Sequence, residues 1–276
     1  MIILDDLNFT KVKIIKEETM ILLDVKNLSK VYTTQLGFNK VEALVDVSFS
    51  VNQGEYIAIM GESGSGKTTL LNILATIDKP TTGAVYLKKN NVSKIKSKHL
   101  AEFRRKNLGF VFQDFNLLDT LSVEDNIFLP LVLAGMQYEQ MHARLKPLVH
   151  MLGIEDILKK YPYEISGGQK QRTAVARALI TNPELVLADE PTGALDSKAS
   201  EDLLDIFEDV NTAGQTILMV THSIKAAAHA NRVLFIKDGM IFNQIYRGHE
   251  SDEAMYKKIS DTLTLLQTGD AIYEVS

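Results

Sequence analysis

The stretch that most constrains the fold is residues 56–70, which read YIAIMGESGSGKTTL. Its first five residues form an apolar, partly β-branched run between Gly54 and Gly61. This run is too short for a helix and predicts a buried parallel strand. Residues 61–68 then fit the pattern G-x-x-x-x-G-K-[ST] at every fixed position, and the apolar residues at 70, 71, 73 and 74 have helical spacing. A strand, a glycine-rich loop and a helix in this order predict a phosphate-binding loop.

The loop has the chemistry that a triphosphate needs. Glycines let the backbone curl so that successive N–H groups point inward, towards phosphate oxygens. Lys67 supplies a mobile positive charge for the β- and γ-phosphates, and the Thr68 hydroxyl is suited to bind Mg²⁺. A chance glycine-rich turn is the alternative, but the strand before it and the helix after it argue against that. We therefore predict that a nucleoside triphosphate binds Gly61, Glu62, Ser63, Gly64, Ser65, Gly66, Lys67 and Thr68.

Composition limits the compartment and the partners. The 276 residues carry a net charge of −5, which argues against nucleic acid as the partner. They include no cysteine, which excludes disulfide bonds and fits a reducing compartment. The longest apolar run, residues 127–134, contains Pro130 and is far too short to span a membrane. Asp5 and Asp6 interrupt the layout of a signal peptide. We expect a cytoplasmic chain whose membrane role, if it has one, comes through a partner.

Three further features follow predicted strands or begin a predicted helix. The buried strand at residues 185–189 ends in the carboxylates Asp189 and Glu190, which are costly unless they bind a metal or move protons. His222 follows the strand predicted at 216–220; a lone histidine is usually structural, but this position is where ligands bind in parallel sheets. Ser166 precedes a helical pattern that runs to residue 180, either as a plain N-cap or at a second anion-binding helix terminus.

The other elements are expected as follows. Residues 21–32 form two short strands with Tyr32 in a loop, where it either stacks on a nucleobase or packs on the sheet. Residues 44–52 alternate almost strictly and predict an antiparallel strand with Val45, Val47, Phe49 and Val51 on one face. Further strands are expected at 84–87, 108–112, 232–236 and 240–246, and helices at 97–106, 123–133, 138–152, 197–210 and 223–230. Arg104, Arg105 and Lys106 are interpreted as a solvated helix face.

The ends of the chain are less informative. Residues 1–19 are either a poorly packed extension or the result of an upstream start codon, and the sequence does not decide between them. Residues 248–276 are expected to form a loose helix of mixed charge.

In this order the motifs resemble the ATP-binding cassette family over nearly all of residues 21–247. They are GESGSGKT (61–68), Gln113 in FVFQDFNLL, SGGQKQR (166–172), LVLADEP (185–191), GALD (193–196) and His222 in VTHS. The resemblance implies an α/β fold of the P-loop NTPase (RecA-like) type, with a parallel core, an antiparallel β subdomain and an inserted helical signature subdomain at about 114–180. An extension (1–20) and a tail (248–276) would flank this nucleotide-binding domain.

The resemblance also implies roles for single residues, with ATP and Mg²⁺ as cofactors. Tyr32 would stack on adenine, Val41 would be a second base contact, and Thr69 would contact the α-phosphate. Asp189 and Gln113 would complete the Mg²⁺ site with Thr68. Glu190 would be the general base, and His222 would hold the γ-phosphate and Glu190 in register. Ser166 and Gly168, with Gly167 and Gln169, would act on the ATP of the opposite subunit in a head-to-tail homodimer, with Asp196 near the seam.

A narrower match resembles the ATPase subunits of bacitracin-type antimicrobial-peptide resistance transporters. It rests on residues 108–131 and on the segments YPYEISGGQKQR, ADEPTGALDSK and VLFIKDGMIFNQIYRG. Lipoprotein-releasing and macrolide-export ATPases are cousins that the core motifs do not separate sharply. The implied partner is a separate multi-span permease, so the chain would lie on the inner face of the cell membrane. The apolar residues Phe115, Leu117 and Leu118 would be partly exposed there to receive the permease.

Two other classes fit less well. Cassette proteins that act on the ribosome carry two cassettes in one chain, and repair-type cassettes insert a long coiled coil between their two Walker motifs. This chain has one set of motifs and no heptad run between Lys67 and Asp189. A P-loop kinase or GTPase has no use for the Ser166–Gln169 motif. The transported substrate stays open.

Overall fold

The computed structural model describes residues 20–33 and 40–268, which form two β-sheets and eight α-helices. The expectations for residues 1–19 and for the tail beyond residue 268 lie outside this part of the chain. The strands are β1 (Ile21–Thr33), β2 (Lys40–Asn52), β3 (Tyr56–Met60), β4 (Thr82–Leu87), β5 (Asn90–Asn91), β6 (Leu108–Val111), β7 (Leu185–Asp189), β8 (Thr216–Val220), β9 (Arg232–Lys237) and β10 (Met240–Tyr246). The helices are α1 (Lys67–Leu74), α2 (Ser97–Asn107), α3 (Val123–Val132), α4 (Tyr138–Leu152), α5 (Gly167–Leu179), α6 (Ser197–Thr212), α7 (Ile224–Ala228) and α8 (Asp252–Thr268).

The larger sheet has six strands in the order β10-β9-β3-β8-β7-β6. Strands β9, β3, β8, β7 and β6 are parallel, and β10 pairs with β9 in the antiparallel sense. Every residue of β3 and β8 is buried, as expected when helices cover both faces of a parallel sheet. The carboxyl ends of β3, β7 and β8 therefore meet at one edge, where ligands bind in sheets of this kind.

Alternation along β3 connects two apolar cores. Tyr56, Ala58 and Met60 pack into the core beneath the helical subdomain. Ile57 and Ile59 point the other way, into the core shared with the antiparallel sheet. Successive strand residues face opposite sides of a sheet, so a five-residue strand serves both cores. The loop that follows β3 is thereby anchored at the boundary between them.

The smaller sheet has the order β2-β1-β4-β5 and corrects two expectations. Residues 21–32 do not form two strands; β1 is one strand of 13 residues with several register shifts. Tyr32 lies within β1, paired with Val41 of β2, and not in a loop. One register shift lies at Asn27, which has a φ of 46°. Such a shift interrupts the alternation of apolar and polar residues, so the sequence pattern predicts two strands where there is one.

The alternation expected for residues 44–52 is also interrupted. Asp46 has a φ of 51°, and the register of β1 against β2 shifts between Leu44 and Val47. The buried side chains of β2 are Leu44, Val47 and Val51, whereas Val45 is only partly buried. One irregular residue moves every side chain before it to the other face of the strand. The strand is therefore predicted correctly, but the face taken by Val45 is wrong.

The helices expected at 123–133, at 138–152 and after Ser166 are present as α3, α4 and α5. Ser122 caps α3 and Ser166 caps α5, each with a reciprocal bond from the third helical residue, Asp125 or Gln169. Helix α2 has no fully buried residue, and Lys106 is exposed as predicted. Arg104 and Arg105 are instead half-buried, and Arg104 donates to the carbonyl of Thr76. Within the described ranges, no helix has the length and apolarity that crossing a bilayer requires.

The tail is more firmly packed than expected. Helix α8 has 17 residues, and its Met255 and Ile259 are fully buried in the core that also holds α7. Leu263 and Leu266 pack against the same core. Three of these residues recur every four positions, so they share one face of the helix. The expectation of a loose helix for this part of the tail is therefore wrong, because the charged residues between these positions conceal the apolar stripe.

Candidate functional site

The glycine-rich loop is held tightly by backbone from both sheets. A Cβ atom at Gly61 would lie 2.2 Å from the carbonyl oxygen of Ile236, in β9. At Gly66, where φ is 104°, it would lie 2.4 Å from the carbonyl oxygen of Ala43, in β2. No other residue fits at these two positions, and Gly64 also has a positive φ, of 81°. The path of the loop is thus set by its neighbours, as the motif predicts.

Lys67 folds back over the loop that precedes it. Its Nζ donates to the carbonyl oxygens of Gly61, at 2.7 Å, and Glu62, at 2.8 Å. Burial lowers the pKa of Lys67, and the nearby carboxylates of Glu190 and Asp189 oppose that shift. The ammonium group therefore lies at the centre of the loop, beside the N-terminus of α1, where an anion gains from both the charge and the helix.

A cleft of about 390 Å³ opens beside this loop and brings together half of the predicted site residues. Its walls come from β2, the glycine-rich loop, the start of α1 and the ends of β7 and β8. The lining residues are Val41, Glu42, Ala43, Ser63, Gly64, Gly66, Lys67, Thr68, Thr69, Asp189, Glu190, Val220 and His222. Cationic, hydroxyl and carboxylate groups converge here because the parallel strands end at the same edge.

Asp189 is the last residue of β7 and faces Lys67 across the cleft. Burial raises the pKa of Asp189, Glu190 raises it further, and Lys67 opposes the shift. The half-buried carboxylate of Asp189 has no hydrogen-bond or ion-pair partner among the described residues, a costly arrangement for a charge that is partly removed from water. A divalent cation would remove that cost, since magnesium prefers carboxylate and hydroxyl oxygens. Asp189 and Thr68 fit Mg²⁺ on these grounds.

Glu190 is held by three contacts at the end of the neighbouring strand. Its Oε2 accepts from the Thr221 hydroxyl, at 3.1 Å, and from the backbone N–H of His222, at 3.2 Å. Its Oε1 lies 2.8 Å from Nδ1 of His222. The backbone of Glu190 has a φ of 45° and donates to the carbonyl of Val220, which directs the carboxylate into the cleft. A carboxylate fixed in this way can accept a proton from a water bound beside it.

The predicted nucleobase contacts lie at the junction of β1 and β2. Tyr32 is 41% exposed, and its hydroxyl donates to Asp78 at 2.8 Å. Lys30 also pairs with Asp78, at 2.7 Å, and its Nζ lies 4.7 Å from the centroid of the Tyr32 ring. Val41 lines the cleft and is 59% exposed. Both side chains are accessible, and their contacts with adenine stay a prediction.

Asp78 was not expected from the sequence, and its ionised carboxylate accepts the hydrogen bonds that hold Lys30 and Tyr32 in place. Burial raises the pKa of Asp78, but hydrogen bonds from Lys30, Tyr32 and the Lys79 N–H outweigh burial and hold it below its ordinary value. The pKa of Tyr32 is raised, by burial first and by its bond to Asp78 second. The aromatic ring is thus anchored by a charged hydrogen bond at its hydroxyl end.

The remaining predicted residues lie elsewhere in the chain. Ser166, Gly167, Gly168 and Gln169 begin α5, and Asp196 caps α6 by accepting from the N–H of Ala199 at 2.8 Å. None of the five lines the cleft. Gln113 is exposed and does not line it either; its amide packs against Gly193, in the loop after Glu190. The structure therefore does not place Gln113 beside Asp189 and Thr68, and its role at the metal stays a prediction.

Two side chains of α5 that the sequence did not mark connect the loops around the site. Gln171 is fully buried, and its Nε2 donates to the carbonyls of Phe112, at 3.3 Å, and Pro191, at 2.7 Å. These residues directly precede Gln113 and follow Glu190. Arg177 donates to the carbonyls of Phe115, at 2.8 Å, and Asn116, at 2.5 Å, and burial lowers its pKa. Both lie in the helical pattern that the sequence did show, but nothing in the pattern reveals a partner in a distant loop.

Asn126 is a third residue that the sequence did not mark. It is fully buried in α3, and its Oδ1 accepts from the N–H of Leu118 at 2.8 Å. Its Nδ2 donates to the carbonyls of Leu118, Leu121 and Ser122. A single amide thus fixes the loop that precedes α3, and Leu118 itself is 47% exposed at the surface of that loop. The predicted exposure of Leu118 is confirmed.

Comparison with known proteins identifies the family. The model of the ABC transporter family matches residues 44–193. The ABC transporter ATP-binding protein YxdL of Bacillus subtilis (strain 168) is 50% identical over 89% of this chain and 94% of its own length. The bacitracin export ATP-binding protein BceA of Halalkalibacterium halodurans is 47% identical over 90% of this chain and 97% of its own length.

A solved structure agrees with the sequence comparisons. The dimeric ATP-binding cassette MJ0796, in a post-hydrolysis state bound to ADP and Pi, matches with a TM-score of 0.74 and 38% identity. The match covers 82% of this chain and 98% of that one. The predicted α/β fold, with its parallel P-loop core, is confirmed. Together, the site geometry and these matches show that the chain is an ATP-hydrolysing domain and belongs to the ABC transporter family.

Proposed function

We propose that this chain is the motor subunit of a transporter that protects cells from antimicrobial peptides of the bacitracin type. In this proposal two copies form a head-to-tail dimer and drive a separate multi-span permease, which holds them on the inner face of the membrane. The observation that carries the proposal is a connected set of contacts from an apolar surface groove to Glu190.

Hydrolysis follows from the geometry of the cleft. The glycine-rich loop and Lys67 hold the triphosphate, and Thr68 and Asp189 are the residues that would hold Mg²⁺, which supplies positive charge to the phosphates. Glu190 accepts a proton from the attacking water, because its carboxylate is exposed to the cleft and already fixed by Thr221 and His222. His222 contacts Glu190 through Nδ1 and extends from the edge of the cleft, where it can also reach the terminal phosphate.

We infer the dimer because the nucleotide cleft of one chain lacks the residues of the 166–169 motif. Ser166 and Gly168 lie at a capped helix N-terminus, which suits a phosphate, but they are not part of this chain's own cleft. A second copy could supply them, and the cassette MJ0796 is dimeric in its solved structure. We propose the same arrangement here, with Asp196 near the contact between the two copies.

The proposed permease site is an apolar groove of about 440 Å³ between α2, β6, α3 and α5. Phe110, Phe112, Leu129, Pro130 and Leu133 line it, with Arg104, Arg105 and Arg177 among its polar residues. Leu133 is 64% exposed, and the neighbouring Val132 is 57% exposed. Exposed apolar side chains in a continuous groove are typical of a protein interface. A short amphipathic helix from the permease fits this chemistry.

Contacts connect the groove to the site of hydrolysis. Phe112 lines the groove. The Nε2 of Gln171 donates both to the carbonyl of Phe112 and to the carbonyl of Pro191. Pro191 directly follows Glu190. A displacement of the groove would therefore move the backbone on both sides of Gln171, and we propose that this path couples the permease to hydrolysis.

The assignment to peptide resistance rests on relatives. BceA, named for bacitracin export, matches over nearly the full length of both chains. The sequence segments that resemble this branch include the groove strand β6 and the final strand β10. A transporter of related but different cargo is the outcome that the experiment below must distinguish.

The test is to purify the chain with a multi-span permease from the same organism, reconstitute the complex in lipid vesicles, and measure phosphate release. We expect bacitracin to stimulate ATP hydrolysis at least severalfold, and a macrolide or a lipoprotein to have no such effect. A complex carrying Glu190→Gln controls for contaminating ATPases. Stimulation by the macrolide or the lipoprotein alone would reject the peptide assignment, and no association with any permease would reject the motor role.

A further inference from the structure

We propose that Asp205, Glu208 and His229 form a binding site for a divalent transition-metal ion of the zinc class. The three residues lie where α6, the end of α7 and the start of α8 meet, and none of them lines the nucleotide cleft. The site is therefore separate from the predicted Mg²⁺ site at Asp189.

The geometry of the three side chains suits one ion. One ligand atom from each residue lies within 4.8 Å of the others. Asp205 and Glu208 are three positions apart on α6, so their carboxylates emerge from the same face of the helix. His229 directly follows α7 and brings the imidazole from a second element. Histidine and carboxylate are both ligand types that zinc accepts, and zinc sites with an open position use three protein ligands.

The buried histidine is the independent observation that points to a ligand. The His229 side chain is 7% exposed, and its Nδ1 has no hydrogen-bond partner among the described residues. Nδ1 lies 3.1 Å from Oε1 of Glu208, but the two atoms do not have the geometry of a hydrogen bond. A buried nitrogen without a partner is destabilising unless something satisfies it. A metal ion between this nitrogen and the carboxylates would do so.

The charged groups around the cluster carry an excess of negative charge. Asp252 also faces His229, with Oδ2 3.9 Å from Nδ1. Arg247 pairs with Glu208, at 3.1 Å, and with Asp252. Asp205 has no cationic partner in the described part of the chain. Three carboxylates thus face one guanidinium, so a divalent ion would neutralise the excess negative charge.

The ligand types favour a transition metal over the ions of the nucleotide site. Imidazole nitrogen suits zinc, copper, iron and nickel, whereas Mg²⁺ and Ca²⁺ prefer all-oxygen sites. The chain has no cysteine, so thiolate cannot compete for such an ion. Bound metal would join α6 to the segment after α7, which lies a few residues beyond His222.

The test is calorimetric titration of nucleotide-free, full-length protein with Zn²⁺ in excess Mg²⁺, together with thermal unfolding. We expect one Zn²⁺ per chain and a higher melting temperature with the ion, because it binds the folded state. Asp205→Asn and His229→Ala should each weaken binding at least tenfold and remove the thermal shift. His150→Ala is the matched control, since it removes an exposed imidazole that also lies beside a carboxylate, Glu155, and its affinity should equal that of the parent.

Absence of Zn²⁺ binding in the parent would overturn the proposal. So would an affinity for Asp205→Asn within twofold of the parent, because Asp205 is exposed and its substitution should not disturb folding. If His229→Ala fails to fold, the Asp205→Asn result still decides the question.

Discussion

Replacing Glu190 by Gln tests the proposed chemistry most directly. The amide can keep the present contacts, with its oxygen towards Thr221 and the His222 N–H and its NH₂ towards Nδ1 of His222. It keeps the shape of the side chain but cannot take a proton from water. Loss of a general base commonly costs about 10²–10⁴-fold in rate, which is about 3–5 kcal/mol of activation free energy. We therefore expect almost no turnover with nearly normal ATP binding.

The assay measures phosphate release at saturating ATP, nucleotide affinity by titration, and dimer content by size-exclusion chromatography with ATP. The unhydrolysed nucleotide should increase the dimer fraction of Glu190→Gln. Glu184→Gln is the matched control, because Glu184 lies at the opposite end of β7 and pairs with Lys88. A rate for Glu190→Gln within threefold of the parent would refute the assignment of Glu190 as the base.

Four further substitutions test the rest of the site and its coupling. Lys67→Ala should weaken ATP binding about 10–100-fold, because a charged hydrogen bond contributes about 1.5–3 kcal/mol; ordinary affinity in a titration would contradict the role of the loop. Leu118 does not line the groove itself but lies two residues beyond Asn116, which does. Leu118→Asp should fold and bind ATP normally, since the side chain is half exposed, but should weaken permease-stimulated hydrolysis; Met151→Asp, on the exposed side of α4, is its control. Unfolding would instead indicate a core role for Leu118, and normal coupling would remove it from the interface. Asn126→Ala should destabilise the protein by about 2–4 kcal/mol in urea unfolding, because three backbone carbonyls and one N–H lose a buried partner; a change below about 1 kcal/mol would contradict this. Asp189→Asn should raise the melting temperature of the Mg²⁺-free protein by about 2–4 °C at neutral pH. The folded pKa of Asp189 is raised, so its ionisation lowers stability as the pH rises through that pKa, and the difference from the parent should vanish below about pH 4. An unchanged or lower melting temperature at neutral pH would contradict the burial of this charge.

The features that could be predicted from sequence are those encoded by neighbouring residues. The loop at 61–68, the strand before it and the helix after it are adjacent in the chain, and the capping of α5 by Ser166 depends on a residue three positions away. The carboxylates at the end of β7 could be predicted to meet the loop because parallel strands end at a common edge.

The features that could not be predicted depend on distant contacts or on single backbone angles. The hydrogen bonds of Gln171 reach residues 59 and 20 positions away, and the anchor of Tyr32 at Asp78 spans 46 positions. The φ of Asp46 changes the face that Val45 takes in β2, and a polar residue in an alternating pattern does not by itself reveal such an angle. The stripe of α8 was missed because its apolar residues are separated by charged ones.

Helix α5 has a consequence for the energetics of transport. We propose that its N-terminus contacts the nucleotide of the second copy. In the middle of the helix, Gln171 donates to the carbonyls of Phe112 and Pro191, which adjoin Gln113 and Glu190. Equilibrium linkage between two sites is reciprocal. If occupancy of the permease groove changes the affinity for ATP by some factor, ATP must change the affinity for the permease by the same factor. The strength of the coupling can therefore be measured without any transport, from the permease affinity with and without nucleotide.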